Sequence, residues 1–166
     1  MLTEKLKKYN IILGSASPRR KELLKGIGLN FSIKITDKEE SYPTDLKDVQ
    51  IVEFLAKQKQ EFLSKELKSN DLLITADTIV SQKGQVLHKP KDKNDAKNIL
   101  FNLSENSHRV ITGICIKTLE KEVTFSTITT VHFNKLSESE IEYYINKFMP
   151  FDKAGSYGIQ EWIGYI

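Results

Sequence analysis

The chain has 166 residues, of which 25 are basic and 22 acidic, giving a formal net charge of +3, and 39% are hydrophobic. This suffices for one core of ordinary size, and a mean hydropathy of -0.37 fits a globular chain rather than a disordered or membrane one. The charge is too mild to argue for nucleic acid, no apolar run could span a bilayer, and the first ten residues lack the apolar segment of a secretory signal. A lone Cys115 excludes an internal disulfide. The expected setting is therefore the cytoplasm, with neither nucleic acid nor membrane as a partner.

YNIILGS, residues 9–15, reads as a short central strand closed by Gly14 and Ser15. Ser17 then stands at an N-cap, Pro18 at the first helical position, and Leu23, Leu24 and Ile27 give a helical stripe that ends at Gly28. LNFSIKIT, residues 29–36, alternates like a second strand and leads into an acidic loop holding Glu39 and Glu40. From Asp48 to about Leu67, Val49, Val52, Leu55, Ala56, Phe62 and Leu63 recur at helical spacing.

DLLITADTIV, residues 71–80, is a β-rich run with Asp77 near its end, followed by a turn, SQKGQ, into VLHKPKD. Asp92 or Asn94 caps a helix running to about Leu103. Val110, Thr112, Ile114 and Ile116 keep one strand parity, Val123, Phe125, Val131 and Phe133 another, and the short EKE between them predicts a hairpin. Ser137 and Glu140 form a capping box for a helix through Phe148 that Pro150 ends. FDKAGSYGIQEWIGYI, residues 151–166, is glycine-rich and then strand-like. Interleaved strands and helices followed by a long hairpin predict a mixed α/β sheet.

Chemistry concentrates at the first helix start. A helix N-terminus already carries positive partial charge, so Arg19, Arg20 and Lys21 there each cost roughly 0.3–1 kcal/mol unless compensated. A bound phosphate removes the conflict, because backbone N–H groups and guanidinium forks then share one anion. Asp77 interrupts an apolar strand, and a carboxylate buried there must pair with a cation or hold a metal.

Glu39 and Glu40 offer a second carboxylate for a hard cation such as Mg²⁺. Lys59, among Lys57, Gln58 and Gln60, reads as surface, whereas Lys89 is held before Pro90. His88, His108 and His132 lack metal-ligand spacing, and there is no nucleophile elbow. Carboxylates plus cations remain, the kit for metal-assisted hydrolysis of a phosphoanhydride.

GSASPRRKELL, ADTIV, VLHKPKD, HRVITG and FDKAGSYGIQ, in this order and spacing, resemble the Maf (septum formation protein) family of nucleoside triphosphate pyrophosphatases, from about Ile11 to Ile166. The likeness is greatest to the branch acting on dTTP and UTP. It implies a single domain over residues 1–166, a mixed α/β fold with an elongated curved sheet flanked by helices and a cleft between two lobes, and a homodimer. It also implies hydrolysis to the monophosphate and pyrophosphate with a divalent cation, Mg²⁺ or Mn²⁺.

In that resemblance Asp77 is the proton acceptor that activates water. Arg19, Thr78 and Gln160 tune base choice, Ser15, Arg20, Lys59 and Lys89 line the phosphate path, and Glu40 joins Asp77 at the metal. A second branch, preferring 7-methyl-GTP, tends to carry Gln after the catalytic Asp and Glu in place of the late Gln. Here those positions are Thr78 and Gln160, and an amide can both donate to and accept from a pyrimidine edge.

Family members normally continue past this chain's last residues, so the C-terminus reads as truncated. Normal and modified pyrimidine nucleotides both stay open as substrates. The alternatives are a non-catalytic nucleotide-binding protein, a pyrophosphatase of the 7-methyl-GTP branch, and an RNA-binding module, the last disfavoured because no aromatics interleave with the cations.

Overall fold

A computed structural model describes all 166 residues. Its framework is one open, mixed sheet of six strands in the order β2-β1-β3-β5-β6, with β4 paired to β3. The strands are β1 (Asn10–Leu13), β2 (Ser32–Ile33), β3 (Asp71–Gln82), β4 (Gln85–Leu87), β5 (Ser107–Lys117) and β6 (Glu122–His132). The helices are α1 (Leu2–Leu6), α2 (Pro18–Gly26), α3 (Val49–Leu63), α4 (Lys93–Leu103) and α5 (Glu138–Phe148). The chain divides into two compact units, residues 1–77 with 112–127, and residues 78–111 with 128–166.

In the first unit β1 lies parallel to both β2 and β3, with Ile12 level with Ser32 on one side and Leu73 on the other. Parallel strands with both faces covered require apolar residues at every position, which explains why Leu13, Leu72 and Leu73 are all buried. The second strand is shorter than its alternation predicts, two exposed residues instead of eight: the Leu29 amide bonds back to the Leu24 carbonyl at 3.1 Å, and only Ser32 and Ile33 pair with β1, while Leu29 and Phe31 pack on Ile11 and Leu72.

The stripe expected on α2 is likewise not a buried face. Leu23 and Ile27 are 70% and 53% exposed, and Leu24 alone packs on the Ile11 cluster. The long helix, α3, stops at Leu63 and tightens into a 3-10 turn over Ser64–Glu66, short of the expected end.

The way α3 meets β5 is set by a missing side chain. A Cβ on Gly113 would fall inside the Val52 carbonyl and 2.8 Å from the Glu53 amide nitrogen, so helix and strand touch backbone to backbone. Thr75 of β3 adds a hydroxyl bond to the Ala56 carbonyl at 2.7 Å, anchoring the same helix to the middle of the sheet.

In the second unit the end of β3 pairs antiparallel with β4, Val80 level with Leu87. Lys83 and Gly84, at φ 50° and 80°, make the two-residue turn whose twist suits a hairpin. The Asp92 carboxylate caps α4 by accepting from the Asp95 amide at 2.8 Å. Ser137 and Glu140 form the expected capping box on α5.

Leu100 and Leu103 of α4 and Ile141, Tyr144 and Ile145 of α5 close a core in which each large side chain contributes about 1.5–3 kcal/mol. His108 and Tyr157 are buried beside Phe133, the imidazole Nε2 2.6 Å from the phenol oxygen.

The last residues depart from the strand-like reading. They fold into short 3-10 turns, Pro150–Asp152, Ala154–Ser156 and Trp162–Tyr165, because Gly155 and Ser156 both adopt positive φ and bend the chain. No helix is long and apolar enough to cross a membrane. At the far end of the sheet β6 is exposed along most of its length, with Val123, Phe125 and Ile128 each more than two-fifths accessible.

Candidate active site at the end of β1 and the middle of β3

Parallel pairing of β1 with β3 brings the loop after Leu13 beside residues 75–77. Gly14 makes this possible, since a Cβ there would meet Thr75 Cγ2 at 2.6 Å and Leu63 Cδ1 at 2.8 Å. The next residue, Ser15, is buried, and its hydroxyl oxygen accepts from the Ser17 amide at 3.3 Å and from Arg20 Nη1 at 3.2 Å. Ser17 occupies the N-cap position of α2, as expected, yet its side chain makes no capping bond; the Ser15 hydroxyl organises the turn instead.

Arg20 reaches back across the loop and donates to the Ala76 carbonyl at 2.7 Å. Burial draws its pKa below the ordinary value, the Asp77 charge acting against that and the Arg19 charge adding to it. A guanidinium in the first turn of a helix is thus held over the middle of β3 rather than released into solvent. Arg19 is half-buried one residue earlier in the same turn.

Lys59 supplies the second cation. Its Nζ lies 2.6 Å from Asp77 Oδ1, 3.0 Å from Glu40 Oε2 and 3.1 Å from the Ala76 carbonyl, and its side chain is only 12% exposed. It reads as surface among its immediate neighbours, but it follows Val52, Leu55 and Ala56 by seven, four and three residues. That spacing places it on the buried stripe of α3, a signal present in the sequence. Gln58 tethers the acidic loop to the same helix, accepting from the Ser41 amide at 3.3 Å and donating to its carbonyl at 3.1 Å. Nothing in the local sequence announces that tether.

Ser15, Arg20, Lys59, Glu40 and Asp77 are therefore gathered in one unit around the Ala76 carbonyl and the Asp77 carboxylate. Two carboxylates already share one positive charge there, and oxygen donors of this kind suit a small divalent cation. No three His, Cys, Asp or Glu side chains form a cage, so such an ion would complete its shell with water and substrate oxygens.

Thr78, Lys89 and Gln160 fall in the second unit. Thr78 is half-buried on β3, Lys89 is exposed in the loop before the buried Pro90, and Gln160 is exposed in the turn after Gly158. Cys115 is buried, and that burial raises its thiol pKa, which opposes a nucleophilic role.

Residues 10–166 match the family described as Maf-like protein. A dTTP/UTP pyrophosphatase of Bacteroides thetaiotaomicron is 48% identical over 97% of this chain and 84% of its own length. One of Flavobacterium johnsoniae is 47% identical over 100% of this chain and 86% of its own. Among solved structures, a nucleoside-triphosphatase, dITP/XTP pyrophosphatase, of Mycobacterium abscessus covers 74% of this chain and 73% of its own at 13% identity and a TM-score of 0.49. With the match spanning nearly every residue, from β1 through the glycine-rich turns, this chain belongs to the Maf family.

Proposed function

We propose that this chain is a hydrolase acting on acid anhydrides, cleaving dTTP and UTP, or modified pyrimidine relatives, to the monophosphate and pyrophosphate. The observation that supports it most is the convergence of the Lys59 ammonium and the Arg20 guanidinium on the middle of β3, at Ala76 and Asp77. Two cations beside a carboxylate suit a triphosphate whose charge must be offset while a water is deprotonated.

In this reading Asp77 accepts the proton of a water whose oxygen attacks the α-phosphorus. The bond to the bridging oxygen breaks, and pyrophosphate leaves. Arg20, Lys59, Ser15 and Lys89 bind phosphate oxygens, and Arg19, Thr78 and Gln160 govern the choice of base. Asp77 and Glu40 would hold a Mg²⁺ or Mn²⁺ ion, which when bound neutralises phosphate charge and strengthens the electrophile. Before substrate and ion bind, Lys59 is tied to both carboxylates and keeps them from repelling one another. The family reading also proposes a cytoplasmic homodimer.

The test is pyrophosphate release from a panel of nucleoside triphosphates, modified bases included, with Mg²⁺ or Mn²⁺. Turnover is expected to be fastest with dTTP and UTP. Nucleotide binding without pyrophosphate release would overturn the enzymatic reading.

A further inference from the structure

The turn that carries Gln160 is clasped by a polar network that the site described above does not use. The Tyr144 hydroxyl, on a fully buried ring of α5, donates to Glu161 Oε2 and accepts from the Gly158 amide at 3.0 Å. Glu161 Oε1 lies 3.1 Å from the Lys153 Nζ, and those two side chains are 20% and 10% exposed. The Glu161 amide closes the turn by donating to the Gly158 carbonyl at 2.9 Å.

From the other side the chain returns at Gly164, whose amide bonds to the Glu161 carbonyl at 2.9 Å; a Cβ on Gly164 would overlap the Ile159 carbonyl. Gln160 is exposed, yet the residues on both sides of it are held by a phenol, a buried ammonium and a backbone contact that admits only glycine.

A carboxylate and an ammonium this little exposed are costly to bury, and together they are poor evidence of a stability device. What they do accomplish is to define one geometry for a four-residue turn. An amide that reads a base edge needs that, because hydrogen-bond discrimination depends on donor and acceptor being held in register.

We propose that Glu161, with Tyr144 and Lys153, is a positioning residue that orients Gln160 for recognition of the pyrimidine edge. The inference rests on the reading that Gln160 meets the base.

The experiment compares kcat and KM for UTP and CTP, which differ at the edge an amide would read, in wild-type protein and in Tyr144→Phe, Glu161→Gln and Gln160→Ala. Both clasp variants are expected to keep kcat for UTP at saturation, raise its KM, and lower the UTP:CTP ratio of kcat/KM by about tenfold. Gln160→Ala should lower the ratio equally, and adding Tyr144→Phe to it should lower it no further.

A ratio unchanged in Tyr144→Phe, or equal losses for both nucleotides, overturns the inference. Should Glu161→Gln unfold the chain by leaving Lys153 with only the longer Asp152 contact at 3.5 Å, Tyr144→Phe, which keeps its ring in the core, decides. An active, Gln160-sensitive wild type indifferent to both clasp variants sinks this inference alone. A ratio insensitive to Gln160→Ala sinks the base-reading role beneath it as well.

Discussion

Lys59 Nζ and Asp77 Oδ1 are 2.6 Å apart, the closest of three contacts that bind the α3 ammonium to the middle of β3 and the Glu40 loop. Replacing Lys59 with Met removes the charge but keeps most of the buried stem, leaving Asp77 and Glu40 to face each other. The expected result is a loss of stability on the order of 1–3 kcal/mol, read from urea midpoints. Asp77→Asn keeps an acceptor for Lys59, so folding is expected to survive while kcat falls by about 10²–10⁴-fold. Equal turnover of Asp77→Asn and wild type would remove Asp77 as the base.

Arg20 presents a planar fork whose Nη1 already serves the Ala76 carbonyl and the Ser15 hydroxyl. Lysine offers a point charge and cannot reproduce that geometry. Arg20→Lys is expected to raise KM for UTP by at least about tenfold, the scale of one charge-assisted hydrogen bond, with a smaller effect on kcat. Steady-state kinetics check the split.

Gly113→Ala inserts a methyl group against the Val52 carbonyl and the Glu53 amide, both backbone atoms that a side-chain rotation cannot clear. The helix must lift off the sheet, so stability is expected to fall by about 1–3 kcal/mol or more. Because α3 carries Lys59, activity should fall at temperatures where the variant is still folded. Thermal unfolding and kinetics measured together test this.

His108 is buried against Tyr157 and Phe133, and burial, helped by the His132 charge, lowers its pKa from the ordinary 6.5 to about 4. The unfolded chain therefore takes up a proton at a pH where the folded chain does not. The stabilisation is fully present above pH 6.5 and is lost as pH falls from there towards 4. Thermal midpoints at pH 7 and pH 5 should show this loss in wild type. His108→Gln should flatten the slope in that window.

Much of the architecture was legible because its signals are local. The Ser137 and Glu140 spacing, the Asp92 cap and the run around Asp77 each specify an element from within a few residues. So does the basic first turn of α2, whose electrostatic conflict directs attention to Arg19, Arg20 and Lys21, whereas Ser15 follows only from the family resemblance. Other features depend on partners remote in sequence. The alternation at residues 29–36 says strand, but the Leu29 amide is taken by the Leu24 carbonyl and β1 pairs only with Ser32 and Ile33.

Lys59 was hidden by its neighbours Lys57 and Gln58, although its spacing from Val52 and Leu55 marks it as buried. The Tyr144, Glu161 and Lys153 clasp joins residues that no periodicity connects. The apolar ending fails as a strand because two successive positive-φ residues and the Gly164 contact impose curvature that hydropathy does not encode.

The rim formed by β6 has a consequence for handling the protein. Between Glu122 and His132 it carries no charge, proline or glycine, so its outer row of amides and carbonyls lacks the usual deterrents to recruiting a foreign chain. Concentrated samples are expected to build ordered, thioflavin-responsive assemblies while their cores remain intact. A single lysine at Ile128, nearly half accessible, should delay that onset without altering turnover.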